Sequence, residues 1–234
     1  MIPDLVLGGG GDPGQEREVW RAAFAGIRRV VYWPFALPDE RAGQAPEWLR
    51  NSLAELGSHA EVDAWLTLKG RTAAELSSAD LLFVGGGLTS RLLEHICEHG
   101  FRGHVADYVE HGGRYYGGSA GAIVAGGSIM IAALADNDSR AAASQAALGL
   151  FSGVTVLPHA DTFALTDIQS WARQLNQRIV AIPEAGGVNI RGDEWMAVGP
   201  AAVALVSGQD CTVFSPGSRI SISCPVTVDV SSAR

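Results

Sequence analysis

Short runs of apolar residues alternate with longer amphipathic segments along most of this chain. The apolar runs are bounded by glycine, proline or polar residues, and they predict strands at 4–7, 29–33, 62–68, 81–84, 114–116, 154–157 and 179–182. The amphipathic segments predict helices at 16–25, 47–56, 89–99, 101–111 and 166–177, with a further helix after residue 119. This alternation predicts an α/β fold in which helices cover a mostly parallel sheet.

After residue 184 the sequence pattern changes from alternating strands and helices to a series of short strands. Residues 187–190 and 195–198, joined by a turn at 191–193, predict a β-hairpin, and further short strands are predicted at 203–206, 211–214 and 220–230. We expect this C-terminal β segment to extend or flank the main sheet. Residues 136–147 are polar and then rich in alanine, which predicts a loop followed by a helical turn. Because 234 residues contain no interdomain linker, we expect one α/β domain over residues 1–234.

Charge and cysteine usage narrow the classes of partner. The net charge of −8 argues against nucleic acid or an anionic membrane as the main partner. The three cysteines are odd in number and far apart, which indicates a reducing, cytoplasmic setting without a disulfide framework. No secretory signal is expected at the start, and no cysteine or histidine cluster has metal-ligand spacing, so we expect no metal or other cofactor. A monomer and a small homo-oligomer both remain open.

The segment Gly117-Gly118-Ser119-Ala120-Gly121 matches the pattern G-x-S-x-G between a predicted strand and a predicted helix. In such a nucleophile elbow the serine sits on a cramped turn, so its neighbours must be small. The turn exposes the hydroxyl at the carboxyl end of the sheet, and the backbone N–H of Ala120 can then meet a developing oxyanion. The alternative interpretation is a glycine-rich helix start with Ser119 as its N-cap.

A serine nucleophile needs a base and a group that orients the base. Two later strands end in suitable residues, each preceded by proline: His159 follows residues 154–157, and Glu184 follows residues 179–182. Strand ends are where a site is expected in an open α/β sheet. Competing acids are Asp136, Asp138 and Asp161. The other histidines fall in polar, helical stretches and are expected at the surface: His59, His95, His99, His104 and His111.

Two glycine runs follow predicted strands. The run Gly85-Gly86-Gly87 suits a second oxyanion donor, because glycine lets a backbone N–H approach a reacting carbonyl closely, although a tight strand-to-helix turn would use the same residues. The run at 9–14 contains G-x-G-x-x-G, a weak dinucleotide signal that lacks an acidic residue at the end of the second strand. The spacing of four tryptophans indicates core or interface positions: Trp20, Trp48, Trp65 and Trp171.

Taken together, the glycine loop, the elbow, the Pro-His strand end and the Ile-Pro-Glu strand end resemble the aspartyl dipeptidase (peptidase E) family of serine peptidases, which includes the cyanophycinases. The resemblance covers nearly the whole chain. It implies a class I glutamine-amidotransferase-like, flavodoxin-related fold with helices on both faces of the sheet and a C-terminal β-hairpin extension. It also implies a catalytic triad of Ser119, His159 and Glu184, with oxyanion donors from Gly86 or Gly87 together with Ala120.

The sequence departs from the family pattern near the expected substrate site. Leu88 stands before Thr89 where the family usually has asparagine, and Arg173 is the only arginine in the stretch 160–176. Leu88 and Thr89 are expected to bind substrate together with the glycine loop, and Leu88 removes a polar group close to where a substrate amine or carbonyl would lie. The resemblance implies a serine peptidase of small peptides, possibly of N-terminal Asp-X dipeptides. The rival reading is a non-peptidase member of the same fold, either an esterase-like hydrolase or a small-molecule binding module.

Overall fold

A computed structural model describes residues 2–143 and 146–222 of the chain. The strands are β1 Asp4–Gly8, β2 Arg29–Trp33, β3 Glu61–Ala64, β4 Leu81–Val84, β5 Arg114–Gly118, β6 Val154–Leu157, β7 Arg178–Ala181, β8 Gly187–Arg191, β9 Glu194–Val198, β10 Val203–Ser207, β11 Asp210–Phe214 and β12 Arg219–Ile220. The α-helices are α1 Arg17–Phe24, α2 Asp39–Ala42, α3 Ala45–Glu55, α4 Ala73–Ser77, α5 Thr89–Glu98, α6 Phe101–Glu110, α7 Ala120–Ala125, α8 Met130–Ala135 and α9 Leu165–Leu175. Two 3₁₀ turns lie at Ser139–Ala143 and Ala160–Thr162.

The main sheet has eight strands in the order β12-β9-β8-β1-β5-β4-β2-β3. Five of them, from β1 to β3 in that order, run parallel, whereas β8, β9 and β12 add antiparallel pairs at one side. The carboxyl ends of β1, β5 and β4 are therefore neighbours, and the loops that follow them meet at one edge of the sheet. The predicted α/β class, its mostly parallel sheet and its C-terminal hairpin are confirmed.

Alternate residues of the central strands enter two separate apolar clusters, one on each face of the sheet. Val6, Tyr32, Phe83 and Tyr116 pack against α1 and α3, whereas their sequence neighbours pack against α5, α6 and α7 on the other face. Successive side chains of a strand point to opposite faces, so a strand that is covered on both sides must be apolar throughout. This is why β4, with the sequence Leu-Leu-Phe-Val, is buried at every position.

A second sheet holds four strands in the order β11-β10-β7-β6. The sequence predicted that the whole C-terminal β segment would extend or flank one main sheet. That expectation holds for β8, β9 and β12, but β10 instead pairs antiparallel with β7, and β11 pairs antiparallel with β10. The strands that end in the Pro-His and Pro-Glu segments, β6 and β7, are thus paired with each other rather than with the elbow strand β5.

Most predicted elements are present, with shifts at their ends. The third strand ends at Ala64 instead of residue 68, because its register with β2 ends where Ala64 lies beside Tyr32. The short helices α2, α4 and α8 were not predicted. The predicted helical turn within 136–147 is the 3₁₀ turn Ser139–Ala143, and most of the predicted strand 220–230 lies outside the described residues. Within the two described ranges, no helix has the length and apolar character needed to cross a membrane.

Candidate active site

Ser119 occupies a strained turn between β5 and α7. Its φ of 52° and ψ of −114° lie in a region that residues with a side chain rarely adopt. Glycine is required on both sides of it: a Cβ on Gly117 would lie 2.4 Å from the carbonyl oxygen of Gly121, and one on Gly121 would lie 2.3 Å from that of Val84. Close packing of strand, turn and helix therefore fixes the elbow and places the serine hydroxyl at the sheet edge.

His159 follows β6 in a left-handed conformation, with φ of 51°. Its backbone N–H donates to the carbonyl oxygen of Gly9, in the loop after β1, at 2.9 Å. Its Nε2 lies 2.9 Å from Oγ of Ser119, within hydrogen-bond distance. For Nε2 to accept the serine proton, Nδ1 must carry the ring proton, and this tautomer is the one that a carboxylate beside Nδ1 favours.

Glu184 supplies that carboxylate. Its Oε1 lies 3.1 Å from Nδ1 of His159, and about a third of its side chain remains exposed. The backbone N–H of Glu184 donates to Oδ1 of Asp161 at 3.0 Å, and the Gln15 amide lies 3.4 Å from Oε2 of Glu184. The structure thus brings the three sequence-predicted residues into one chain of hydrogen-bond contacts, from Ser119 through His159 to Glu184.

The competing acids take other positions. Asp161 contacts the backbone of Glu184, and no hydrogen bond joins it to the His159 ring among the described residues. Asp138 is buried, and its two oxygens accept from the backbone N–H and the hydroxyl of Ser90, at 2.8 and 2.9 Å. Asp136 interacts electrostatically with His159. Loss of surrounding water raises the pKa of the Asp136 carboxyl, and the His159 charge opposes that rise.

The glycine loop after β4 lies against the nucleophile. A Cβ on Gly86 would lie 3.0 Å from Cβ of Ser119, so the bare backbone is needed for this approach. The N–H groups of Gly85 and Leu88 are bonded to the carbonyl oxygens of Trp33 and Ala36. Between them, the N–H groups of Gly86 and Gly87 have no acceptor in the described part of the chain. Ala120 begins α7, and the first N–H groups of a helix have no acceptor within it.

Leu88 and Thr89 do not line the cavity at Ser119. Leu88 precedes α5, and its side chain is 40% exposed. Thr89 is fully buried, and its hydroxyl has no hydrogen-bond partner among the described residues. Leu88 and Thr89 thus follow the glycine loop directly but do not form part of the cavity wall.

The loop after β1 enters the site, which the sequence did not predict. Gly10 has a φ of 93°, and a Cβ there would lie 2.6 Å from Nε2 of His159 and 2.8 Å from Cβ of Ser119. Gly9 also receives the His159 backbone N–H and donates its own N–H to Gly186 at 3.0 Å. The glycines at 9–11 pack against catalytic-site backbone and side chains. The signal was the glycine run itself, but its meaning depends on β1 pairing with β5.

Glu16 is a second site residue that the sequence did not single out. It is 1% exposed, and its carboxylate accepts from the N–H of Gly10 at 2.7 Å, the Trp20 indole at 2.9 Å and the Tyr116 hydroxyl. Burial raises the pKa of the Glu16 carboxyl above its ordinary value, and the hydrogen bonds from Tyr116, Gly10 and Trp20 act against that rise. Glu16 thereby ties the Gly10 loop to the sheet below Ser119.

His95 differs from the expectation of a surface residue. Its ring is half-buried, lies 4.4 Å from that of Phe35, and accepts the backbone N–H of Leu68 at 3.1 Å. Burial lowers the pKa of His95, and the neighbouring His99 lowers it further. No group of three or more potential metal ligands occurs among the described residues. His95 thus packs against Phe35 and accepts a backbone hydrogen bond from Leu68.

A cavity of about 490 Å³ opens beside Ser119 and His159. Its wall includes the glycines at 10, 11 and 85–87, the buried Glu16 and several aromatic side chains. Trp48, which the sequence placed in a core or an interface, is 44% exposed at this cavity. A concave, largely apolar space beside a hydrogen-bonded serine and histidine is the usual form of a small-molecule or peptide site.

Comparisons with known proteins show the family to which the chain is similar. A family model described as "Peptidase family S51" matches residues 5–198. A Peptidase E of Shigella flexneri is 28% identical over 204 residues, which cover 83% of each chain. A Peptidase E of Haemophilus influenzae is 32% identical over 104 residues, so that match spans about half of either protein, 44% of this chain and 46% of the relative.

A solved structure shows a similar fold. The crystal structure of a peptidase from an acI-B1 Actinobacterium superposes with a TM-score of 0.71 at 21% sequence identity. The superposition covers 94% of this chain and 97% of the other. At that identity the likeness concerns the architecture of the chain.

Proposed function

The chain belongs to peptidase family S51 and is a serine-type peptidase, and from that premise we propose that it hydrolyses small peptides through Ser119, His159 and Glu184. The observation that carries the proposal is the pair of contacts on one imidazole ring. Oγ of Ser119 lies 2.9 Å from Nε2 of His159, and Oε1 of Glu184 lies 3.1 Å from Nδ1. A nucleophile, a base and an orienting carboxylate in this order form the geometry of a serine triad.

In the first half-reaction Nε2 of His159 takes the hydroxyl proton while Oγ of Ser119 attacks the peptide carbonyl carbon. The resulting oxyanion accepts hydrogen bonds from the N–H of Ala120 and from that of Gly86 or Gly87. The N–H groups of Gly86 and Gly87 have no acceptor among the described residues, which leaves them available for this role. The carbon–nitrogen bond then breaks, His159 gives its proton to the leaving amine, and an acyl group remains on Ser119.

In the second half-reaction water attacks the acyl carbon and gives a proton to His159. The bond to Oγ breaks, the carboxylic acid product leaves, and Ser119 regains its proton from the ring. Glu184 keeps the imidazole in the productive tautomer and stabilises its charged form in both halves. The cycle balances without a metal ion or another cofactor.

The test compares the wild-type protein with Ser119→Ala. A fluorophosphonate probe should label the wild-type serine and leave the variant unlabelled, and turnover of a dipeptide panel should fall by at least about 10³-fold. Ser215→Ala is the matched control, because Ser215 is exposed and does not line the cavity. Unchanged peptide turnover in Ser119→Ala would refute the proposed nucleophile.

We also propose a cytoplasmic location. Cys97 and Cys211 are exposed and unpaired, and an exposed free thiol persists most readily in a reducing compartment. Cys224 lies outside the described residues. Fractionation of the producing cells, with the protein followed by probe labelling, tests this location.

A further inference from the structure

Five aromatic side chains form part of the wall of the cavity beside Ser119. Four of these rings belong to the apolar cluster on one face of the main sheet, and the fifth, from α3, is partly exposed. The five aromatic side chains are Trp20, Tyr32, Trp48, Phe83 and Tyr116. At about 490 Å³ the cavity has room for a large side chain together with part of a peptide backbone.

The position of these rings relative to His159 indicates which part of a substrate they meet. Tyr116, Phe83 and Tyr32 lie on β5, β4 and β2, so the rings extend from the nucleophile across the sheet in that direction. The backbone of His159 is held by the loop after β1, which is on the opposite side of β5. The histidine must protonate the leaving amine, so the leaving group lies on the same side of Ser119 as His159. The acyl residue then lies on the other side, towards the aromatic rings.

We propose that this cavity selects peptides whose acyl-side residue, the one that supplies the scissile carbonyl, has an aromatic or large aliphatic side chain. The proposal rests on the proposed function and names its substrate class. It differs from a preference for an acidic residue at the same position.

The packing of the rings supports an aromatic guest. Trp20 meets Phe83 edge to face, with ring centroids 5.4 Å apart, and meets Trp48 in the same way at 5.7 Å. Phe83 and Tyr116 are stacked at 4.5 Å. Trp48 is 44% exposed, whereas the other four rings of the cavity wall are 2% exposed or less, so Trp48 offers a substrate the largest aromatic surface. A substrate ring can complete this arrangement with the same edge-to-face geometry.

The charges in the wall act against an acidic guest. The Glu16 carboxyl is 1% exposed and already accepts three hydrogen bonds, so a second carboxylate beside it would be desolvated next to a like charge. Among the described lining residues, Arg41 is the one arginine or lysine, and it lies exposed on α2. An acidic side chain could therefore be bound only at the rim.

The first experiment measures kcat/KM on aminoacyl p-nitroanilides of Phe, Trp, Leu, Ala and Asp. We expect the Phe and Trp substrates to exceed those of Ala and Asp by at least tenfold. Trp48→Ala should lower kcat/KM on the Phe substrate by five- to tenfold, mainly through KM, and change the Ala substrate by less than twofold. Leu66→Ala is the control, because it removes an exposed apolar side chain away from the cavity.

The second experiment measures binding without turnover. In Ser119→Ala protein, Phe-Ala should bind at least tenfold more tightly than Asp-Ala, and adding Trp48→Ala should remove most of this difference. Equal binding of the two peptides would overturn the proposed selectivity, while probe labelling of Ser119 in the wild type would leave the proposed function intact. Preferred binding of Asp-Ala that is lost in Arg41→Gln would also overturn it, since the rim arginine would then select the substrate.

Discussion

Gly10 lies directly against His159: a Cβ at residue 10 would be 2.6 Å from Nε2, the ring atom that faces Ser119. The positive φ of Gly10, 93°, and this contact both exclude a larger residue. The loop after β1 thus forms one side of the space in which the serine and histidine meet. Its role is steric, and it sets how closely the two side chains can approach.

Gly10→Ala should therefore lower kcat by at least about 10²-fold, because the new methyl group displaces the His159 ring from its contact with Ser119. Gly70→Ala is a matched control, since Gly70 also has a positive φ, 79°, but nothing lies within 4 Å of its added Cβ. Both variants should lose about 1 kcal/mol of stability from backbone strain. Peptide kinetics and denaturant unfolding distinguish the two effects, and equal activity of the two variants would contradict the steric role.

Glu184→Gln should lower kcat by about 10²- to 10⁴-fold, because a neutral amide can no longer stabilise the charged imidazole beside it. Asp161→Asn should cost less than about tenfold, since Asp161 meets the backbone N–H of Glu184 and an amide oxygen can still accept there. Steady-state kinetics on one peptide, with folding checked by circular dichroism, provide the comparison. A larger loss in Asp161→Asn or Asp136→Asn than in Glu184→Gln would assign the orienting role to that aspartate.

Tyr116→Phe should reduce the free energy of unfolding by about 1–3 kcal/mol, because it removes a donor to the buried Glu16 carboxylate and an acceptor for the Trp20 indole. Tyr32→Phe removes a hydroxyl from the same face of the sheet, at nearly the same burial. No hydrogen bond to the Tyr32 hydroxyl occurs among the described residues, so this variant should change stability by less than about 0.5 kcal/mol. Urea unfolding of both proteins tests the difference, and equal losses would argue against a stabilising Glu16 network.

Glu16 should make stability depend on pH. Burial raises the pKa of the Glu16 carboxyl above the ordinary 4.5. At a pH between 4.5 and this higher folded-state pKa, the folded protein therefore binds more protons than the unfolded chain. The stability of the wild type relative to Glu16→Gln should therefore fall as the pH rises above 4.5 and level off above the folded-state pKa. Unfolding curves from pH 4 to pH 8 measure this.

Glu18→Gln is the control for the pH series, because Glu18 is exposed in the first turn of α1, which begins directly after Glu16. Its stability relative to the wild type should stay nearly constant over the range. A relative stability of Glu16→Gln that is also constant, or that changes in the opposite direction, would contradict the raised pKa.

The local parts of the site could be predicted because their constraints lie within a few residues. The small residues around Ser119 are needed by one strand–turn–helix junction, where a Cβ on Gly117 or Gly121 would strike backbone. Gly86 follows a buried strand in the same way. The prolines before His159 and Glu184 mark strand ends, so their polar side chains could be recognised as candidates without knowing which strands pair.

Other features depend on pairing between distant segments. Periodicity identifies β6, β7, β10 and β11 as strands, but it does not say that they form their own sheet, because hydrogen bonds between strands have no sequence spacing. Likewise, Asp138 has the residue type of a catalytic acid, and only its contacts with Ser90 show that its oxygens are already used.

The sequence by itself determined the α/β class, the elbow at Ser119 and the candidate partners His159 and Glu184, because periodicity and steric limits act over short stretches of chain. The tertiary structure alone decided that the Gly10 loop lies against His159, that Glu16 is buried beneath it, and that aromatic side chains from β2, β4 and β5 line one cavity. These relationships arise from the order of the parallel strands in the sheet. The packing of the crossover connections sets that order, and no local sequence pattern specifies it.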